Sequence, residues 1–131
     1  MTIPAAERLH LREEEGGVRI PLEWNRNDKG CLFAGSIYAG AIIAAYRAAE
    51  QRYAALGLEG GLVAKRASVR YLKSLVSDGR AASTACGEPQ RKPNGNWTVS
   101  VTVMVSDPDG VPCAELDAEM VLMRKRDACP P

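Results

Sequence analysis

The residues best able to do chemistry in this chain crowd into one stretch, Asn25 to Ser36, reading NRNDKGCLFAGS. It is a polar, glycine-bearing loop that runs into the only long helical pattern of the sequence. The N–H groups that open a helix lack intrahelical partners, and the aligned peptide dipoles add positive potential there. Such a start can hold negative charge, resident or developing in a reaction. Nucleophilic catalysis is poorly supplied. The solitary histidine, His10, would have to serve as base for either Cys31 or Ser36, and Ser36 lacks the flanking glycines of a nucleophile elbow. Lys29-Gly30 ahead of Ala34-Gly35-Ser36 does not have P-loop spacing. The four cysteines (Cys31, Cys86, Cys113, Cys129) form no CxxC pair and no metal-ligand spacing, so free thiols and no metal are expected.

The elements that must position this stretch can be read in order. From Ser36 to Leu56 there is no proline, one glycine and much alanine, which predicts a helix of ~30 Å. Ser36 is placed to cap its start and Gly57 to end it. Ile37 to Tyr46 is apolar all round, the mark of a helix buried on every side, while Arg47, Glu50, Gln51 and Arg52 return one face to water. Before it, Met1 to Glu7 reads as a loose end or a short helical turn and Arg8 to Glu15 as a strand. Val18, Ile20 and Leu22 alternate with polar neighbours in a second strand, which Pro21 demotes to an edge or a bulge. After it, Leu62 to Tyr71 has Lys65, Ala67, Val69 and Tyr71 on one side and Arg66, Ser68 and Arg70 on the other. Arg80 to Glu88 is a small-residue strand, and Asn94-Gly95 is a hairpin signal. Val99, Val101, Val103 and Val105 alternate with Thr98, Ser100, Thr102 and Met104. After the Asp107 to Gly110 turn, Ala114, Leu116, Ala118, Met120 and Leu122 face inward, with Glu115, Asp117 and Glu119 outward. Residues 127–131 read as a tail.

The 131 residues suffice for one domain, 1–131 with a core of about 8–126. A hydrophobic content of 46%, and 17 basic against 16 acidic residues, give no bulk field for nucleic acid or membrane. No basic-then-apolar leader or spanning run is visible, so a reducing cytoplasm is expected. One long helix with about five to six strands of matching length predicts an α+β fold, with a curled antiparallel sheet wrapping a central helix. Short turns make the last four strands a meander. One helix cannot cover both faces of such a sheet, so the outer face or an edge strand needs a partner, and a homodimer is the economical answer.

The order strand, Asn-x-x-Gly loop, Phe33-Ala34-Gly35-Ser36 at a helix start, then four strands resembles the hotdog fold of acyl thioesterases and dehydratases. Asn27 to Ser36 followed by Tyr38 is similar to the loop N-x-K-G-x-x-F-G-G-S-x-Y of one branch, a thioesterase family that occurs alone or fused to an acetyltransferase domain. Val69-Arg70-Tyr71-Leu72 resembles that family's strand ending. The resemblance covers about residues 17–125. Ala34 departs from the usual first glycine of the motif, and Asp28 from the neutral or basic residue usual after the asparagine.

The resemblance implies an enzyme of fatty acid metabolism acting on the thioester of acyl-CoA or acyl-carrier protein, at the interface of a homodimer or dimer of dimers. No cofactor is implied, CoA or phosphopantetheine entering only as part of the substrate. The thioester oxygen would accept from the N–H of Gly35 or Ser36, and Asn27 would donate its amide to it or position a water. Phe33, Ala34, Tyr38 and Tyr71 would line the substrate, with Lys29, Arg70, Lys73 and Arg66 candidates for carrier phosphates. Plainer roles stand beside these: Ser36 as a cap, Tyr38 and Tyr46 as core, Arg66 and Arg70 as a solvated face. Many hotdog thioesterases carry a water-activating carboxylate two to three turns into the helix. Here none lies between Asp28 and Glu50, and Glu50 is ~21 Å beyond Ser36. Hydrolysis would then need Asp28 as base. Decarboxylation of a malonyl thioester, associated with relatives of this loop, needs only a stabilised enolate oxygen. Binding without chemistry would use the same pocket.

Overall fold

A computed structural model describes residues 3–123. Two helices, α1 (Pro4–Arg8) and α2 (Ala34–Ala55), accompany seven strands: β1 (Arg12–Glu14), β2 (Gly17–Ile20), β3 (Gly61–Tyr71), β4 (Gly79–Cys86), β5 (Gln90–Arg91), β6 (Trp97–Ser106) and β7 (Pro112–Met123). The sheet is antiparallel in the order β1-β2-β4-β6-β7-β3, with β5 added to the end of β6. Seven strands replace the expected five to six because β1 and β5 are only three and two residues long. The tail at 127–131 and the last part of the expected core, 124–126, lie outside the described residues.

The α+β class, the single long helix and the inward faces of β6 and β7 follow the alternation of the sequence. Val99, Val101, Val103, Val105, Leu116 and Met120 are at most 2% exposed, and they pack with Val18, Ile20, Ala41, Ala45 and Ala49 in one core. Burying side chains of this kind is the main favourable term in folding. The helix closes as expected, with Gly57 at φ 71, the Gly57 N–H donating to Ala54 O and the Leu58 N–H to Tyr53 O. Gly40 lets α2 sit directly on β2, since a Cβ there would fall 2.5 Å from two carbons of Ile20.

Several expectations are corrected. The segment read as one strand from Arg8 to Glu15 divides into the end of α1, His10 at φ 57, and β1, because the left-handed residue breaks the extended run. Pro21 follows β2 and ends it. β2 lies between β1 and β4, so it is no edge. Lys65 falls in a bulge between Ala64 and Arg66, out of register with Ala67 and Val69. The four-strand meander holds only for β4, β6 and β7, because β3 pairs with β7 on the far side. The connection 72–78 has the reach: seven residues extend to ~23 Å, against ~14 Å across three strand spacings. Buried Leu75, 1% exposed, holds its middle down.

The helix is buried on its sheet side only. Tyr38 is 36% exposed, and Ala39, Ile42 and Tyr46 are half-buried, because a single sheet covers one side of a rod. The outer sheet face carries its own polar pairs. Thr98 and Thr102 donate to Glu119 and Asp117 across β6 and β7, and Arg66 and Arg70 pair with Glu119 and Glu115 across β3 and β7. That leaves the edges. β1 is short and charged, whereas β3 is eleven residues long with its outer backbone row unpaired among the described residues.

Tyr53 is 1% exposed and donates to Met120 O at 3.1 Å. Burial first, then Cys86 and Glu119, push its phenol up to about 12 from 10.0. The folded state therefore holds this proton more tightly than the unfolded chain. The stability it confers is complete below pH 10 and is lost as pH rises towards 12. Urea denaturation from pH 8 to pH 11.5 is expected to show that decline, and Tyr53→Phe to remove this contribution to the slope.

Candidate functional site

The loop ahead of α2 is a small hairpin. Asn27 N–H donates to Cys31 O at 2.7 Å, Arg26 and Leu32 form a bridge, and Phe33 N–H donates to Asn25 O at 2.8 Å. At its tip the Asn27 Oδ1 accepts from Lys29 N–H and Cys31 N–H, both at 2.9 Å. Two N–H donors aimed at one atom require an oxygen there, which fixes the orientation of the amide. The Asn27 Nδ2 hydrogens have no partner among the described residues, so this side chain presents a donor on a rigid mount.

Ser36 is not the helix cap. The helix starts two residues earlier, at Ala34, and Phe33 holds the cap position with no side-chain bond. The hairpin does the fastening instead: Phe33 is tied to Asn25 O, and Phe33 O accepts Ser36 N–H at 3.0 Å and Ile37 N–H at 3.1 Å. Ser36 is thus in the first turn, 3% exposed, with its N–H already engaged. Of the two amides expected to meet a thioester oxygen, only that of Gly35 is unpaired among the described residues, and the preceding Ala34 N–H is equally unpaired.

Around these donors lie aromatic groups. The Phe33 ring lies against Gly35, 2.5 Å from where a Cβ would stand, and is 55% exposed. The Tyr71 hydroxyl, at the end of β3, donates to Ala34 O at 2.9 Å and so ties the edge strand to the helix start. Burial, and to a smaller extent Tyr38, raise the Tyr71 phenol above its ordinary value. Leu72 and Val76 continue the exposed apolar surface at 51% and 73%. Gly35, Ala34, Phe33, Tyr38 and Tyr71 are therefore brought together.

The charged candidates are placed differently. Arg70 points to the outer sheet face, opposite Tyr71, where Nη2 donates to Glu115 Oε1 at 2.7 Å. Arg66 shares that face. Lys29 is 80% and Asp28 85% exposed at the hairpin tip, where they pair at 3.6 Å. Lys73 is exposed in the crossing connection, its N–H donating to Cys113 O at 3.1 Å. Glu50, the first carboxylate on the helix, bonds Arg47. Cys31, Cys86 and Cys113 are free thiols, and no group of His, Cys, Asp and Glu among the described residues could hold a metal ion.

Two contributors were missed from the sequence. Asn25, 4% exposed, donates its amide to Leu9 O at 2.8 Å and Pro21 O at 2.9 Å, while its buried Oδ1 finds no donor. An unpaired buried acceptor costs about 1–3 kcal/mol. Leu75 O accepts Leu32 N–H at 2.8 Å and so braces the hairpin from below. Neither has a local signature: Asn25 differs from Asn27 only in what folds over it.

The family profile described as "Putative thioesterase (yiiD_Cterm)" matches residues 3–122. A "putative thioesterase" of Shewanella oneidensis superposes with TM-score 0.76 at 24% identity, over 94% of this chain and 90% of that one. A Bacillus halodurans protein crystallised with CoA gives 0.74 at 15% identity, over 93% and 78%. A thioesterase of Haemophilus influenzae gives 0.68 at 15% identity, over 96% and 87%. No curated protein matches. These similarities give the architecture its hotdog fold.

Proposed function

The chain belongs to the "Putative thioesterase (yiiD_Cterm)" family, and on that premise we propose that it hydrolyses an acyl thioester of CoA or acyl-carrier protein at the start of α2. The reading is supported by two unspent donors, the Asn27 amide in the hairpin and the Gly35 N–H at the helix start to which the Phe33–Asn25 bond fastens that hairpin. A carbonyl oxygen placed between them would gain negative charge as water adds to the carbon, its proton passing to solvent, and would give that charge up as the C–S bond breaks and the thiolate leaves; both donors bind the charged oxygen more strongly than the neutral carbonyl. Phe33, Tyr38 and Tyr71 would hold the acyl and pantetheine segments, and Lys29 and Lys73 the phosphates. A CoA-bound protein of the same fold supports the substrate class. No helix among the described residues is long and apolar enough to cross a membrane, and a cytoplasmic setting suits a substrate of this kind.

One observation favours a second reading. Asp28 projects into solvent beside Lys29, and Glu50 is engaged far along the helix, so neither of these two carboxylates stands ready to activate water. Loss of carbon dioxide from a malonyl thioester needs no base: the C–C bond breaks, its electrons pass to the enolate whose oxygen the donors hold, and a proton from water then gives the acetyl thioester. Incubation with a panel of malonyl and medium-chain CoA and carrier-protein thioesters separates the two. Free thiol means hydrolysis and acetyl thioester with carbon dioxide means decarboxylation, while turnover of none overturns both.

The site is open in one chain, with Phe33 and Tyr71 about half exposed, and β3 ends at Tyr71. A second copy paired along β3 would cover both the unpaired edge and the aromatic surface. Sedimentation at micromolar concentration is expected to give a dimer. A folded monomer would exclude this completion of the site.

A further inference from the structure

We propose that Asn25 is the positioning residue of this site, acting through Phe33 to aim the Gly35 N–H without touching substrate. The inference rests on the reading above, in which that N–H receives the thioester oxygen. Four hydrogen bonds converge on Asn25. Its amide donates to Leu9 O and Pro21 O, its backbone N–H donates to Leu22 O at 3.1 Å, and its carbonyl accepts Phe33 N–H at 2.8 Å. The side chain thereby ties the end of α1 to the segment after β2, and in doing so fixes the main-chain carbonyl that holds the cap of α2. The donors, not the acceptor, are what the fold uses, because Oδ1 is buried without a partner. Leu9 is itself held, since His10 beside it is at φ 57 and stacks on Trp24 at 4.2 Å, next to Asn25. Displacing the cap by a fraction of a residue would turn the Gly35 N–H away, and donor geometry of that kind governs turnover more than binding.

Asn25→Asp keeps the shape but removes both donors and sets a carboxylate against two carbonyl oxygens. Burial and those oxygens favour its neutral form, which regains one donor. In the fully folded protein at neutral pH, kcat is expected to fall about 10–100-fold with KM within threefold. Part of the loss should return as pH falls, with no such gain in the wild type. Amide exchange should accelerate at Phe33, Ser36 and Ile37 and stay unchanged at Ala41 to Ala49. Wild-type kcat, a loss that tracks the unfolded fraction, or unchanged exchange at Phe33 would each overturn the proposal. If Asn25→Asp does not fold, exposed His10→Ala, which removes only the ring stack, should give the same local exchange with a smaller kcat loss. If that variant leaves exchange at Phe33 unaltered, the proposal fails. Should the wild type turn over no thioester, the exchange data stand alone: acceleration at Phe33 keeps the positioning role while the function reading falls.

Discussion

Asn27→Asp is expected to lower kcat on the preferred thioester by about 10²–10³, the range for losing one oxyanion donor, with a smaller change in KM. The aspartate keeps the oxygen that accepts Lys29 N–H and Cys31 N–H, so the hairpin tip stays closed and only the Nδ2 donor disappears. Asn27→Ala removes both functions and should also loosen the loop, which makes it the less discriminating variant. Both chemistries predict the same loss, so the thioester panel separates them and Asp28 tests only whether a carboxylate of the hairpin acts as base. As a general base, Asp28→Asn would cost about 10²–10⁴ and remove the acidic limb of the pH profile. With its side chain 85% exposed beside Lys29, the expected result is turnover within threefold of wild type. Full activity of Asn27→Asp on every substrate the wild type processes would mean that the site lies elsewhere.

Leu75→Ala is expected to destabilise the fold by about 2–5 kcal/mol, measured by urea denaturation. Leu75 is the buried anchor of the connection that carries the chain from β3 across the end of the sheet to β4. A Cβ added to Gly79 would lie 3.1–3.3 Å from Leu32, Leu75 and Val105, which shows how closely the three side chains meet there. Truncation leaves a void among them that a long connection can only partly refill. The neighbouring Val76→Ala, at a side chain 73% exposed, should stay within about 0.5 kcal/mol. If the two variants unfold alike, the connection is not anchored as described.

What the sequence determined by itself is what local periodicity encodes. The valines of β6 and the Ala-Leu-Ala-Met-Leu series of β7 declared their buried face, because alternate residues of a strand point to opposite sides. The alanine-rich run declared α2, and Gly57 its end, through backbone preferences that act within a few residues. The Asn-to-Ser motif picked out the candidate site, and Asn27, Ala34, Gly35, Phe33, Tyr38 and Tyr71 were named from that stretch, its helix and one strand ending. Alternation says which face is buried but not which strand lies alongside, so the placement of β3 beside β7 belonged to the tertiary structure. The same holds for Arg70, whose outward side chain faces Glu115 only because those two strands pair. Ser36 was a sound cap by residue type, yet the helix begins earlier because Asn25, eight residues before Phe33, supplies the carbonyl that fastens it. Asn25 and Asn27 are alike as residue types. One became a buried tie and the other a half-buried donor through which backbone groups folded within reach of each amide.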